Sequence, residues 1–279
     1  MDGFGIYLGV ASLEHYVDDL LASGRETFSG PVAQAALRLS SEAFQSATRR
    51  AKKRGLVMSP WRNFFVILRP EDRSAGSPDP VRWIDPLMKH LGVDYRVSLL
   101  RAAAFHGSSH QASMVFSVLT PRQLRSFEAG RHRIQFLFQQ PKTFAAVNRA
   151  PWLADLKSES GFAKAAGVEL TLLDCMRYFH KAGGINGVAQ VVRDIGGKAN
   201  SKSLAKAAEV YENSVVRRLG YLLEHFGHDR QARALRPIAQ RAKSVKPLNP
   251  AAKSFLGKSA SPLNSEWQLI LNQTVEVDE

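Results

Sequence analysis

Two histidines four residues apart, His106 and His110 in the stretch SLLRAAAFHGSSHQA, have the types and spacing that invite metal chemistry. On an unbroken helix such a pair puts both imidazoles on one face, the arrangement that holds zinc in HExxH proteins. Here Gly107, Ser108 and Ser109 intervene and no glutamate stands between the histidines. A hydrolytic zinc site is therefore not expected, and His106 reads as the closing residue of a buried helix. His110 and Gln111 are suited to hydrogen bonds across the following turn. Asp174, Arg177 and Tyr178 form a second polar group at i, i+3 and i+4, a spacing that predicts an Asp–Arg pair within one helix. Glu169 is placed to cap the start of that helix, with Thr171 following.

The lone cysteine, Cys175, allows no intramolecular disulfide and no CxxC knuckle, and its neighbours TLLDCMRYF predict a small buried hydrophobe. GGINGVAQ contains glycines but lacks the GxGxxG spacing and the preceding strand of a dinucleotide site. No nucleophile elbow, phosphate-binding loop or paired catalytic carboxylates stand out. No catalytic residue, cofactor or metal is expected.

The chemistry that composition does favour is electrostatic. Lys+Arg outnumber Asp+Glu by 38 to 25, for a net charge of +13, which favours a polyanionic partner. The excess is local. Residues 36–69 hold eight Lys or Arg against Glu42, a net of +7, whereas residues 1–35 hold five Asp or Glu against Arg25, a net of −4. In SSEAFQSATRRAKKRG, helical spacing gathers Phe44, Ala47, Thr48 and Ala51 on one face. Glu42, Gln45, Ser46, Arg49, Arg50 and Lys53 lie opposite, a face that is polar and cationic without being uniformly charged. Gln45, Ser46 and Arg49 suit base edges in a major groove, and Arg50, Lys52, Lys53 and Arg62 suit phosphates.

The elements that must position these residues are legible. SLEHYVDDLLAS predicts a helix capped by Ser12, GPVAQAALRL a short helix begun by Pro31, and the basic stretch a third helix capped by Ser40 or Ser41 and stopped by Gly55. LVMSPWRNFFVIL predicts a hairpin with Pro60 and Asn63 at its turn. Three helices and a hairpin describe a winged helix-turn-helix in residues 1–69, its third helix directed at operator DNA. PEDRSAGSPDP, Pro70 to Pro80, predicts a linker, and residues 81–279 a larger mixed domain, so the fold class is α+β. No window reaches the length of a membrane-spanning helix, and the N-terminus lacks the features of a signal peptide, so a cytoplasmic protein is expected. Between Lys198 and Lys258 thirteen Lys or Arg face four Asp or Glu. That surface is either the solvated side of helices or a second cationic face able to touch RNA.

Several stretches together resemble the AbiEi-like antitoxins of bacterial abortive-infection toxin–antitoxin pairs. SLLRAAAFHGSSHQA resembles the family's signature, an apolar helix ending in His-Gly and running into a His-Gln-Ala turn. ELTLLDCMRYFHKAGGINGVAQVV and VVRRLGYLLEHFG resemble the helices that follow, with Ser113 and Val168 standing where the family commonly has proline. The resemblance implies a winged helix-turn-helix repressor of its own operon. It also implies a C-terminal antitoxin domain, carrying His106, His110, Gln111, Asp174, Arg177 and Tyr178, that opposes a nucleotidyltransferase-like toxin. The alternative is a basic nucleic-acid-processing enzyme whose C-terminal site has no recognisable motif.

Overall fold

The computed structural model describes residues 12–108, 115–159, 161–252 and 261–277. The chain is α+β and divides into two compact units. The first comprises Met1–Asp94, Arg125–Gln135 and Leu156–Ala163, and the second Tyr95–Leu124, Phe136–Asp155 and Lys164–Glu279.

The first unit opens with α1 (Leu13–Ala22), where the Ser12 hydroxyl accepts the His15 amide at 3.2 Å and Leu13, Val17 and Leu20 face inward. Strand β1 (Thr27–Ser29), absent from the sequence reading, precedes α2 (Gly30–Ala36), and a four-residue turn leads to α3 (Ser41–Lys53). Ser40 caps α3 by accepting the Ala43 amide at 3.2 Å, and Gly55, at φ +65°, closes it in a conformation that favours glycine. Strands β2 (Val57–Trp61) and β3 (Phe64–Ile67) complete an antiparallel sheet of order β1-β3-β2. The turn is Arg62–Asn63, with Asn63 at φ +58°. Pro60 lies inside β2, where an edge position and a register shift between Met58 and Trp61 spare its missing N–H. Phe28 stacks on Phe65 at 5.0 Å and Phe44 meets Phe65 edge-on at 6.1 Å, which pins α3 to the sheet by its apolar face.

The Pro70–Pro80 stretch lies within the first unit and is packed there. Asp72 and Ser77 are buried, 3-10 turns occupy Pro70–Asp72 and Pro80–Arg82, and Trp83 is fully buried ahead of α4 (Ile84–Leu91). An ion network explains the packing. The buried Glu26 carboxylate receives Arg82 at 2.5 and 2.8 Å and Arg69 at 2.5 Å, while Arg82 also reaches Asp72 at 3.1 Å. Composition marks this stretch as a linker because prolines and glycine punctuate it, but its Asp72 is held by Arg82, which is itself bound to the buried Glu26.

In the sheet of order β6-β7-β5-β4-β9-β8, β4 (Arg96–Val97) pairs antiparallel with β5 (Val115–Thr120) and parallel with β9 (Gly161–Ala166). β6 (Phe127–Ala129) and β7 (His132–Phe138) form a hairpin with Gly130 at its turn, and β8 spans Leu153–Ser158. The helices of the second unit are α5 (Leu99–Phe105), α6 (Pro141–Val147), α7 (Val168–Arg177), α8 (Gly184–Ile195), α9 (Ser201–Ala208), α10 (Asn213–His225) and α11 (Asp229–Ala239). Gly183 and Gly184, both at positive φ, separate α7 from α8. Leu170 to Met176 are all buried, so α7 runs through the core rather than along its surface. A small sheet of β10 (Lys246–Pro247), β11 (Leu263–Asn264) and β12 (Leu269–Ile270) follows, and Trp267 packs on Gly220, where a Cβ would come within 2.1 Å of the indole.

Replacing Glu26 with Gln leaves the Arg69 and Arg82 guanidiniums without their buried counter-charge, and the first unit is expected to lose about 3 kcal/mol. Glu209→Gln, at the exposed pair with Arg241, is expected to change little. Thermal unfolding of the two variants checks this. Equal melting temperatures would show that the Glu26 network does not hold the unit together.

Candidate functional sites

Two groups of residues stand out. The first is the outer face of α3, where Gln45, Ser46, Arg49, Arg50 and Lys53 are exposed while Phe44, Thr48 and Ala51 are buried. Arg49, Arg50 and Lys53 make no ion pair among the described residues. Lys52 is exposed with its Nζ 5.4 Å from the centre of the Phe65 ring. Arg54 is paired to Glu14 of α1. Arg62 is exposed at the β2–β3 turn. The Glu42 carboxyl, at the start of α3, is held below its ordinary range by its own backbone amide and the Ser40 hydroxyl. An acid complements that positive helix end, and the cations remain on the middle and last turns.

The second group is a buried polar centre around Asp174. Its carboxylate accepts a two-point bond from Arg96, Nε to Oδ2 and Nη2 to Oδ1, each 2.9 Å, with neither side chain exposed. The Ser98 hydroxyl donates to it at 2.8 Å and the Tyr211 hydroxyl at 2.7 Å. Arg96 also donates to Gln139 Oε1 at 2.8 Å and lies 5.2 Å from the Phe144 ring. Burial opposes the Arg96 charge, but Asp174 outweighs it and the pKa is raised. Burial, reinforced by Asp174, raises the Tyr211 phenol well above its ordinary value, and likewise raises the Cys175 thiol, which stays protonated. The centre is therefore charge-balanced and buried, and the Tyr211 phenol and Cys175 thiol keep their protons.

The expected Asp174–Arg177 pair within α7 does not form. Arg177 reaches Glu212 at 2.7 Å, because α7 turns Asp174 inward and leaves Arg177 toward the rim. The Tyr178 hydroxyl donates to Phe138 O at 2.7 Å. Glu169 does not cap its own helix: its Oε1 accepts the Asn200 amide at 2.8 Å, and Asn200 in turn caps α9. His106 follows the last residue of α5, where its Nε2 lies 2.8 Å from Ala166 O and its carbonyl accepts from Lys198 Nζ at 2.6 Å. His110 and Gln111 lie outside the described residues. Ser108, next along the signature segment, donates to Asp194 at 2.8 Å.

Sequence reasoning missed Arg96, Ser98, Gln139 and Tyr211. The pair Arg96–Asp174 joins residues 78 apart, beyond any local spacing rule. The one available signal is an arginine inside the apolar run YRVSLL, since a cation there must be paired. Of the C-terminal cations, Arg217 and Arg218 are buried against the carbonyls of Ser244, Gln268 and Pro247, and Arg236 and Arg241 are paired to Glu224 and Glu209. Among the described residues no group of three His, Cys, Asp or Glu could hold a metal, and no helix is long and apolar enough to cross a membrane.

The second group lies in a stretch that defines a class of protein. Residues 96–225, from Arg96 through α10, match the family described as AbiEi antitoxin C-terminal domain, so the chain carries an antitoxin domain of the toxin–antitoxin type. The match covers a little under half of the chain, which is similar there to the C-terminal domain of the AbiEi antitoxins. It is also similar to the crystal structure of the RV2827C protein from Mycobacterium tuberculosis, with a TM-score of 0.67 at 18% identity, covering 92% of this chain and 90% of that one. That likeness is one of fold. No curated protein matches.

Arg96→Met strands the buried Asp174 carboxylate and is expected to cost about 3–5 kcal/mol, whereas the double change Arg96→Met with Asp174→Leu recovers most of it. Denaturant unfolding of both variants checks this, and equal losses would show that the charge balance is not what matters. A pH dependence follows from the phenols. Burial pushes Tyr178 up to about 12, against the opposing Arg177. Between the ordinary tyrosine value of about 10 and that point, the unfolded chain releases a proton that the native chain keeps. Stability is therefore complete below the ordinary value and falls as pH rises through the native one. Tyr211 acts in the same direction. Tyr178→Phe is expected to flatten part of this alkaline decline in urea titrations, and an unchanged decline would assign it to other groups.

Proposed function

We propose that the chain is the antitoxin of a bacterial toxin–antitoxin pair, and that it also represses its own operon. The order helix, strand, helix, helix, strand, strand with a β1-β3-β2 sheet supports reading residues 12–68 as a winged helix-turn-helix. In this reading α3 enters the major groove of operator DNA. Gln45, Ser46 and Arg49 meet base edges, Arg50, Lys52 and Lys53 meet phosphates, and Arg62 in the wing meets the adjoining backbone. The second unit opposes a nucleotidyltransferase-like toxin in the cytoplasm, with the signature segment from His106 and the Asp174, Arg177 and Tyr178 group as the framework of that activity. The observation that carries the proposal is the antitoxin-domain match in a chain whose third helix keeps Arg49, Arg50 and Lys53 exposed, with no ion pair among the described residues. Duplex DNA is the favoured partner because the exposed cations of α3 stand on one face of a helix of the kind that a major groove admits.

Arg49→Ala with Arg50→Ala is expected to weaken binding to DNA from upstream of the protein's own coding sequence by roughly tenfold or more. The slope of log affinity against log salt should become shallower by about one unit per lost phosphate contact. The same variant is expected to keep its ability to rescue growth when the toxin is expressed. Gel-shift titration and growth rescue, with circular dichroism to confirm folding, check both arms. Undiminished DNA binding would remove α3 as the reader, and lost rescue in a folded variant would overturn the division of labour.

A further inference from the structure

The β6–β7 hairpin is part of the first unit, although the chain reaches it after crossing into the second. Within the first unit its place is fixed. Phe127 of β6 meets Trp61 edge-on at 5.9 Å, and Trp61 is the last residue of β2, immediately before Arg62. Phe127 also lies 6.3 Å from the fully buried Trp83. At the turn, the Arg131 amide donates to Ala75 O at 3.1 Å. Gly130 sits so close to the backbone that a Cβ there would come within 2.2 Å of Ala75 O. The register Phe127↔Ile134, Glu128↔Arg133, Ala129↔His132 puts the buried Ala129 and Ile134 on the Phe127 face and turns Arg133 away from it.

The hairpin carries more cation than its packing uses. Arg125, Arg131 and Arg133 are all exposed and form no ion pair among the described residues. Residues 125–135 hold these three arginines against Glu128, a net of +2 with histidine neutral. A charged edge also discourages strand pairing with another molecule, but that role needs neither arginine in particular nor a rigid mount beside the wing. Guanidinium forks suit phosphate oxygens, and through Phe127 and Trp61 the hairpin packs on the strand that leads into Arg62. We infer that this hairpin is a second contact to the DNA backbone, in which Arg125, Arg131 and Arg133 engage phosphates flanking the duplex held by α3 and the wing. The inference rests on the DNA-binding reading above and extends it to a segment from the family-matched part of the chain.

The test uses the full chain, a duplex from upstream of its own coding sequence, and a random duplex of equal length. R125Q/R131Q/R133Q is expected to weaken binding to both duplexes by a similar factor of roughly tenfold, because phosphate contacts carry no sequence information. The salt slope should become shallower by about 2 to 3 units. R125K/R131K/R133K keeps the charge and is expected to retain most of the affinity, which also controls for folding. Unchanged affinity and slope in the glutamine variant, with Arg49→Ala/Arg50→Ala still weakened, would overturn the hairpin contact and leave the α3 reading standing. No binding of either duplex by the wild-type chain would overturn both. Displacement of the duplex by single-stranded RNA from the wild type, but not from the glutamine variant, would assign the hairpin to RNA and also overturn the inference.

Discussion

The second unit is organised around a carboxylate that has no access to water. Asp174 lies in a helix whose every residue from Leu170 to Met176 is buried, and its charge is met by the two-point bond from Arg96 and by the Ser98 and Tyr211 hydroxyls. A buried pair of this kind contributes little net stability, since desolvation offsets most of the attraction, but an unmatched member is costly. It therefore acts chiefly on specificity. Strand β4, helix α7 and the loop carrying Tyr211 must meet in one register, or a charge is left alone in the core. Leu99, beside Ser98, is held at φ +54°, a conformation that a leucine adopts at a cost, and its full burial shows that the surrounding packing enforces it.

Arginine is used in two ways in this chain, and the difference bears on function. Arg96, Arg82, Arg217 and Arg218 are drawn into carboxylates or backbone carbonyls, where the planar fork satisfies several acceptors at once. Arg49, Arg50, Arg125, Arg131 and Arg133 stay exposed with no acidic partner among the described residues. The net charge of +13 is thus a poor guide to how much cation is free for a partner. What counts is which cations the fold has left unpaired, and among the described residues of the first unit these include cations on α3, at the β2–β3 turn and on the β6–β7 hairpin.

The course of the chain complicates a modular picture of the protein. The family-matched stretch 96–225 includes residues 125–135 and 156–163, which belong to the first compact unit, while the Pro70–Pro80 stretch is packed inside that unit and not between two. Glu26 depends on Arg82, and Trp61 packs on Phe127. A cut at the proline-rich stretch would take Arg82 from the buried Glu26 and Phe127 from the half-buried Trp61. A small helical unit with limited core has little reserve against such losses.

Local rules carried much of the first unit. The spacing of Leu13, Val17 and Leu20, the Ser12 and Ser40 caps, Pro31 and Gly55 each specify a feature that short-range physics decides, and the observed α1, α2 and α3 follow them. The same holds for the break at Gly183–Gly184 and for the outward set Gln45, Ser46, Arg49, Arg50 and Lys53, because one helical period sorts apolar from polar. The short β1, the packed fate of Pro70–Pro80 and the partners of Asp174, Arg177 and Glu169 were not decided locally. A three-residue strand carries too few side chains to show a period. A carboxylate on a helix chooses between a neighbour one turn away and a guanidinium 78 residues distant according to which side of the helix is buried. Sequence periodicity leaves that choice open for α7, which is apolar on nearly every side. Tertiary packing made it, by burying Asp174 and leaving Arg96 as the one cation bonded to it among the described residues.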